Sequence, residues 1–229
     1  PLMKMERALD YLDHYPEGRY ADEIRFLMGY VQLARGDTLE AKGDWETLYL
    51  TKPQSPYNYP LLYELARLAS AQGDTSDAAA KLSLITSVAP HDTLYFLASR
   101  GLAELEEARG HNIEALLLYR KMASELGTLP PELWQRSLDL VFKLRHYNEF
   151  DNFYETLRDR EYRDEIAFYR EVAKVDGGLA KAKDVEALLH ARPASRNDEF
   201  LYWAGIGSSA AGHPRLGRHL LELLLAEGQ

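Results

Sequence analysis

Histidine is the side chain best suited to acid–base or metal chemistry near neutral pH, and the sequence contains seven histidines. His213 and His219 do not have the His-Glu-x-x-His spacing that puts two metal ligands on one helical face. Most of the seven fall at predicted helix ends or turns, where a protonated imidazole is favourable without any function. We therefore predict no metal site and no catalytic histidine. The seven are His14, His91, His111, His146, His190, His213 and His219.

A glycine- and serine-rich stretch at 204–212 superficially resembles a phosphate-binding loop. That motif requires a preceding strand, whereas residues 200–203 continue a helical pattern. Ser208 lacks the flanking glycines of a nucleophile elbow. Carboxylate pairs such as Glu106 and Glu107 are frequent, but nothing in the sequence indicates a raised pKa in a cleft. The sequence thus predicts no catalytic residue, no cofactor and no enzyme activity.

The composition narrows the possible partners. The chain has 229 residues, a formal net charge of −9 and no dense basic stripe. This charge disfavours binding to nucleic acid and to anionic membrane surfaces. It contains no cysteine, which excludes disulfides and cysteine-bound zinc but leaves the compartment open. No apolar run approaches the roughly 20 residues of a membrane helix. We expect a soluble, ordered protein.

Two kinds of turn residue recur with the same period. Glycine permits the left-handed backbone that closes a helix, and an Asp, Asn or Thr after it can cap the next helix. Proline about 17 residues later stops that second helix. Each period therefore predicts two antiparallel helices joined by a tight turn. Three such glycines and three prolines are each spaced by 37 residues: Gly36, Gly73 and Gly110, with Pro16, Pro53 and Pro90.

Between these turn residues, apolar side chains recur at steps of three and four, which is helical spacing. We predict a first helix at 3–15 and then six helix pairs. The run of alternating charges at 158–165 is predicted to be a solvated connector. The predicted pairs are 21–35 with 39–50, 60–72 with 76–88, 93–109 with 113–125, 131–145 with 148–158, 163–175 with 179–191, and 198–211 with 214–226.

The pattern of small and large residues within these pairs resembles the tetratricopeptide repeat family. A small residue in the first helix lets the two helices approach, and an alanine early in the second helix precedes a large residue one turn later. Phe150 and Arg170 depart from the pattern in the later repeats. Residues that carry the resemblance are Gly29, Ala41, Trp45 and Pro53; Ala66, Ala78, Leu82 and Pro90; Ala103, Ala115 and Tyr119; and Gly205, Gly217 and Leu221.

The resemblance implies an all-α solenoid, a right-handed superhelix of about six helix pairs preceded by an unpaired N-terminal helix. It predicts a single repeat domain over 1–229, with strong repeats at 21–126 and divergent ones at 131–226. The unpaired first helix and the apolar C-terminal helix at 216–225 lead us to expect a piece of a longer protein.

In the tetratricopeptide family, the inner face is formed mainly by first helices and holds the ligand. The resemblance therefore implies a groove for an extended peptide or a helix. For Arg100 and Glu104 an exposed helical ion pair is an equal alternative, and a merely solvated face is the alternative for the rest. The implied contact residues are Glu23, Phe26, Tyr30, Tyr63, Arg67, Arg100 and Glu104.

Three hypotheses about function follow. The first is a non-catalytic scaffold or adaptor that binds a protein segment. Acidic chaperone tails are rejected as that partner, because Glu23, Leu27 and Tyr30 occupy positions where basic or amide residues would be needed. The second is the periplasmic repeat region of a bacterial exopolysaccharide secretion or envelope-assembly machine, with a polysaccharide as a possible ligand. The third is a helical domain attached to an enzyme. The compartment stays open, with periplasm favoured over cytoplasm.

Overall fold

The computed structural model describes residues 2–88, 92–158, 160–176, 201, 202, 205, 209 and 214–227. Within these residues the chain forms eleven α-helices and no strand. The predicted helix at 179–191, and most of the predicted helix at 198–211 with its glycine-rich stretch, lie outside the described residues. The helices are α1 Leu2–His14, α2 Ala21–Arg35, α3 Thr38–Thr51, α4 Asn58–Ala71, α5 Thr75–Val88, α6 Thr93–Ala108, α7 Asn112–Leu126, α8 Pro131–Leu144, α9 Glu149–Thr156, α10 Arg160–Asp176 and α11 Pro214–Glu227.

Backbone contacts divide the chain into two compact units, unit 1 at Pro1–Leu105 and unit 2 at Glu106–Gln229. In unit 1, α2 packs on α3 and α4 packs on α5, as the predicted pairs require. In unit 2, α7 contacts α8 and α9, and α9 contacts α10. The single continuous domain of the sequence analysis stays a prediction. No helix in the described ranges combines the length and apolar character needed to cross a membrane.

The periodic glycines close helices as predicted. Gly36, Gly73 and Gly110 have φ angles of 90°, 81° and 81°. After each glycine, the next backbone N–H donates to a carbonyl five residues before it, as in Asp37 N to Gln32 O at 3.0 Å and Asp74 N to Ala69 O at 2.9 Å. This bond satisfies a carbonyl that the ending helix leaves open, and it turns the chain into the next helix.

A fourth turn of the same kind uses no glycine. Arg145, after α8, has φ 55°, and the backbone N–H of His146 donates to Val141 O at 3.0 Å. The capping prediction holds in part. The Asp74 carboxylate accepts the backbone N–H of Asp77 at 3.0 Å, whereas Asp37 makes no side-chain cap.

One hydrophobic cluster in the core of unit 1 lies where α3 packs on α4. Its fully buried residues are Trp45, Leu48, Leu61 and Leu65, and partly buried aromatic and aliphatic side chains pack around them. The Trp45 indole Nε1 donates a hydrogen bond of 2.9 Å to the backbone carbonyl of Phe26. This bond satisfies the polar atom of a ring that is otherwise closed off from solvent.

The core of unit 2 is a second aromatic cluster. Phe142 of α8 lies with its ring centroid 5.5 Å from Phe150 of α9 and 5.7 Å from Tyr169 of α10. Phe150, which departs from the expected alanine, is fully buried. The large ring at this position is therefore a core residue that joins three helices.

The predicted connector at 158–165 is wrong. Helix α10 begins at Arg160, and both Glu165 and Ile166 are buried. Ile166, Tyr169 and Ala173 recur at steps of three and four, and all three are buried. This apolar face packs α10 into the core of unit 2, so the helix forms although its first turns carry many charges. The half-exposed Arg170 bonds Asp151 Oδ1 at 2.7 Å, so its position does not require a small residue.

Candidate functional site

The candidate site lies in unit 1, where the first helices of two successive pairs, α4 and α6, face each other. They border a cavity of about 230 Å³ that is open to solvent. Tyr63, Arg67 and Ser70 border it from α4, and Gly101 and Glu104 border it from α6. The structure therefore brings three of the predicted contact residues, Tyr63, Arg67 and Glu104, to one concave place. We call it the α4–α6 cavity.

Arg67 is held at one edge of this cavity by a carboxylate of its own helix. Its Nη1 atom donates to Glu64 Oε2 at 2.9 Å, and the Arg67 side chain is still 63% exposed. Glu64 itself is buried. The pair fixes the direction of the guanidinium and leaves its other donors turned to solvent.

Glu64 also connects α4 to α2. Burial raises the pKa of the Tyr30 hydroxyl, and a hydrogen bond to Glu64 raises it further. The carboxylate of Glu64 thus lies between the Tyr30 hydroxyl and the Arg67 guanidinium. Because neighbouring hydrogen bonds orient one another, Tyr30 and Arg67 have a common support.

Arg100 and Glu104 form the other polar feature of the site. Arg100 Nε donates to Glu104 Oε1 at 3.0 Å, one helical turn apart on α6. The ion pair expected from the sequence as an alternative is therefore present. It does not remove Glu104 from the cavity, since Glu104 borders the cavity on its α6 side.

Phe26 and Glu23, at the start of the predicted groove, have different surroundings. The Phe26 ring packs 6.1 Å from Trp45 and 5.2 Å from Tyr57, which makes it part of the packing around the core. Burial raises the pKa of the Tyr57 hydroxyl, with Glu23 the next largest cause. Phe26 is thus mainly a packing residue, and Tyr30, 38% exposed, is the accessible aromatic of α2.

Two residues of the site were not among the contact residues predicted from the sequence. Glu64 precedes Arg67 by three positions, a spacing that indicates an ion pair on a helix. Gly101 lies inside a helix, makes no turn and has no Cβ to fill the cavity that it borders. A glycine in mid-helix lowers helix stability, so its presence there is a usable signal of a packing or cavity role.

The histidines and carboxylates show no metal-binding arrangement. Within the described ranges, no three His, Cys, Asp or Glu side chains converge as a metal site would require. His14 bonds the Asp10 backbone carbonyl at 2.8 Å, and that bond raises the pKa of His14. His111 lies 2.6 Å from Glu106 at the turn after α6. Both histidines therefore occupy helix ends, as predicted.

A second concave surface lies on the second helices of unit 1. Leu50 of α3 and Leu84 of α5 border a groove of about 420 Å³, with Glu46 and Lys81 at its edge. Leu50 is 75% exposed. This groove is more apolar than the α4–α6 cavity and contains none of the predicted contact residues.

Paired antiparallel helices with left-handed glycine turns every 37 residues define an all-α helical-repeat protein, an α-solenoid. The fold is that of the tetratricopeptide repeat. The chain is similar to the 2.39 Å crystal structure of a tetratricopeptide repeat protein from Parabacteroides merdae ATCC 43184, with a TM-score of 0.51 and 17% identity, over 90% of this chain and 79% of that chain. No protein-family model matches the sequence, and no curated protein matches it. The likeness concerns the fold alone.

Proposed function

We propose that the chain is a non-catalytic adaptor that binds an extended segment of a partner protein across the first helices of unit 1. The observation that carries this proposal is the α4–α6 cavity, where Tyr63, Arg67 and Glu104 from successive first helices meet. A tetratricopeptide-like fold supports protein binding as the general role. The groove, the partner and the absence of catalysis are the proposed part.

The side chains at the cavity are suited to a peptide. Tyr63 offers a ring with a polar tip, and Arg67 and Glu104 offer charged hydrogen-bonding groups whose directions are fixed by ion pairs. Fixed side chains lose little conformational freedom when a ligand binds, which favours affinity from a small contact area.

Affinity capture from the native lysate tests the groove. We would compare the parent chain, a Tyr63→Ala/Arg67→Gln variant and a Tyr59→Ala/Arg35→Gln control. The control changes the same residue types away from the cavity, since Tyr59 of α4 borders a different pocket and Arg35 ends α2. All three must first show the same far-ultraviolet circular dichroism and thermal midpoint.

A protein captured by the parent and the control, and lost by the groove variant, supports the adaptor. Equal capture by all three baits means that the partner binds another face. If the parent captures no protein, peptide binding is contradicted. Titration with soluble oligosaccharides then tests the exopolysaccharide hypothesis, which predicts binding that the groove variant weakens.

A further inference from the structure

The charges around the α4–α6 cavity balance in pairs. Arg67 is bonded to Glu64, and Glu104 is bonded to Arg100, each by a single hydrogen bond. In the part of the chain that the structure describes, Nε and Nη2 of Arg67 and Oε2 of Glu104 have no hydrogen bond to another protein group. One edge of the cavity therefore offers hydrogen-bond donors and another offers an acceptor.

Such a cavity disfavours a charged guest of either sign. A partner carboxylate that reached Arg67 would come close to Glu104 and Glu64, and a partner ammonium that reached Glu104 would meet Arg67. Like charges brought together at a binding site lower affinity and so select against the wrong partner. The guest that suits the cavity is uncharged and has both an acceptor and a donor.

A primary amide has this combination, because its carbonyl oxygen accepts and its NH₂ group donates. We propose that the α4–α6 cavity recognises the side-chain amide of a Gln or Asn residue in the bound segment, with the carbonyl on Arg67 and the NH₂ group on Glu104. This inference rests on the proposed function, since it specifies which residue of the partner segment enters the groove.

The walls of the cavity favour a side chain over the partner's main chain. Ala66 and Leu82 provide apolar surface, and the missing Cβ of Gly101 deepens the recess on the α6 side. Methylene groups can contact the apolar wall while the terminal amide reaches the charged edge. A main-chain amide carries flanking residues on both sides, which disfavours its entry into a recess of about 230 Å³.

Peptide pools with one fixed central residue test the inference. Nonapeptide pools, random elsewhere, would carry Gln, Asn, Glu, Lys or Leu at the centre, and retention on the immobilised chain would be measured by mass spectrometry. We expect the Gln or Asn pool to be retained about tenfold more than the Glu and Lys pools, since a misplaced charge costs at least one hydrogen bond.

Two single substitutions should change the preference in opposite directions. Glu104→Gln leaves Arg67 facing the guest without an opposing carboxylate on α6, so the Glu pool should become the best retained. Arg67→Gln removes the cation and should make the Lys pool the best retained. The matched controls Glu40→Gln and Arg35→Gln change exposed residues away from the cavity and should keep the parent's preference.

The outcomes separate this inference from the proposed function. Retention that is lost with Tyr63→Ala but shows no amide preference overturns the inference and leaves peptide binding in the groove intact. Retention that Tyr63→Ala does not reduce, or no retention of any pool, contradicts the groove itself. Binding of soluble oligosaccharides that Arg67→Gln abolishes, without peptide retention, would assign the cavity to hydroxyl groups and overturn the amide proposal.

Discussion

The indole ring of Trp45 lies directly against Gly29. A Cβ added to Gly29 would come within 2.2 Å of Trp45 Cε2 and Nε1, closer than any real contact. Trp45 is fully buried, and its Nε1 is bonded to the backbone of α2. Helices α2 and α3 therefore approach each other at a distance that only glycine allows, and the ring has no free side toward which to move.

Gly29→Ala should destabilise unit 1. Alanine favours a helix over glycine, but the clash with a fully buried ring outweighs this gain, and we expect a net loss of about 1–3 kcal/mol in the free energy of unfolding. Urea denaturation followed by circular dichroism measures the loss. The control is Gly43→Ala on α3, where an added Cβ meets nothing within 4 Å and should stabilise by about 0.5–1 kcal/mol. Equal effects at both positions would contradict the close packing.

Ionisation of Tyr119 should lower the stability of the folded protein as the pH rises into the alkaline range. This buried hydroxyl donates to Glu107 Oε2 at 3.1 Å, and burial, followed by the Glu107 charge, raises its pKa in the folded state. The unfolded state then loses its tyrosine proton first, near pH 10. The stabilisation is complete below that pH and is lost as the pH rises, by up to about 1.4 kcal/mol per unit.

Tyr119→Phe tests this dependence. At pH 8 the variant should be less stable by about 1 kcal/mol, because it lacks the hydrogen bond. Between pH 10 and pH 11 the difference between parent and variant should shrink, since only the parent carries the ionising hydroxyl. Urea midpoints at several pH values measure the difference. A gap that stays constant across this range would show that Tyr119 does not titrate as inferred.

Arg120 should be needed to neutralise a buried carboxylate. Its Nη1 lies 3.0 Å from Oε1 and 3.2 Å from Oε2 of Glu149, whose side chain is only 8% exposed. Arg120→Met leaves that charge without its cation, and we expect the free energy of unfolding to fall by about 1–3 kcal/mol. The loss is not larger because Arg120 itself is partly exposed to solvent. Thermal and urea unfolding would both report the change.

The control for Arg120 is a looser and more exposed pair. Lys42 Nζ lies 3.8 Å from Glu46 Oε1, and Lys42→Met should change stability by no more than about 0.5 kcal/mol. Adding Glu149→Gln to Arg120→Met should restore part of the lost stability, because the double variant contains no unpaired buried charge. A double variant less stable than Arg120→Met would contradict this explanation.

Filling the α4–α6 cavity should block peptide retention without touching a charge. In Gly101→Met the new Cβ would lie 3.4 Å from Leu82 Cδ1, an ordinary contact, and the flexible thioether can extend into the cavity. We expect retention of the Gln pool to fall about tenfold with no loss of thermal stability. Gly43→Met, on α3 with open space around it, should retain the peptides. Unchanged retention by Gly101→Met would place the bound peptide elsewhere.

The resemblance and the helix spacing predicted which residues stand on the first helices, and the structure puts Tyr63, Arg67 and Glu104 at one cavity. The sequence could not indicate that Phe26 turns toward the core while Tyr30 remains accessible, since both lie on the same helix one turn apart. The orientation of each ring depends on Trp45, which belongs to another helix.

The sequence by itself determined the helices over 21–156, because their signals are local. A left-handed glycine, a proline after the second helix and apolar steps of three and four act within a few residues, and they recur every 37 positions. The tertiary structure decided what depends on contacts between distant helices. Glu64 joins Tyr30 of one helix pair to Arg67 of the next. Helix α10 extends into a run of charges because its apolar face is buried. Charge spacing along the chain is the same whether a helix is solvated or packed, so only the packing could distinguish the two.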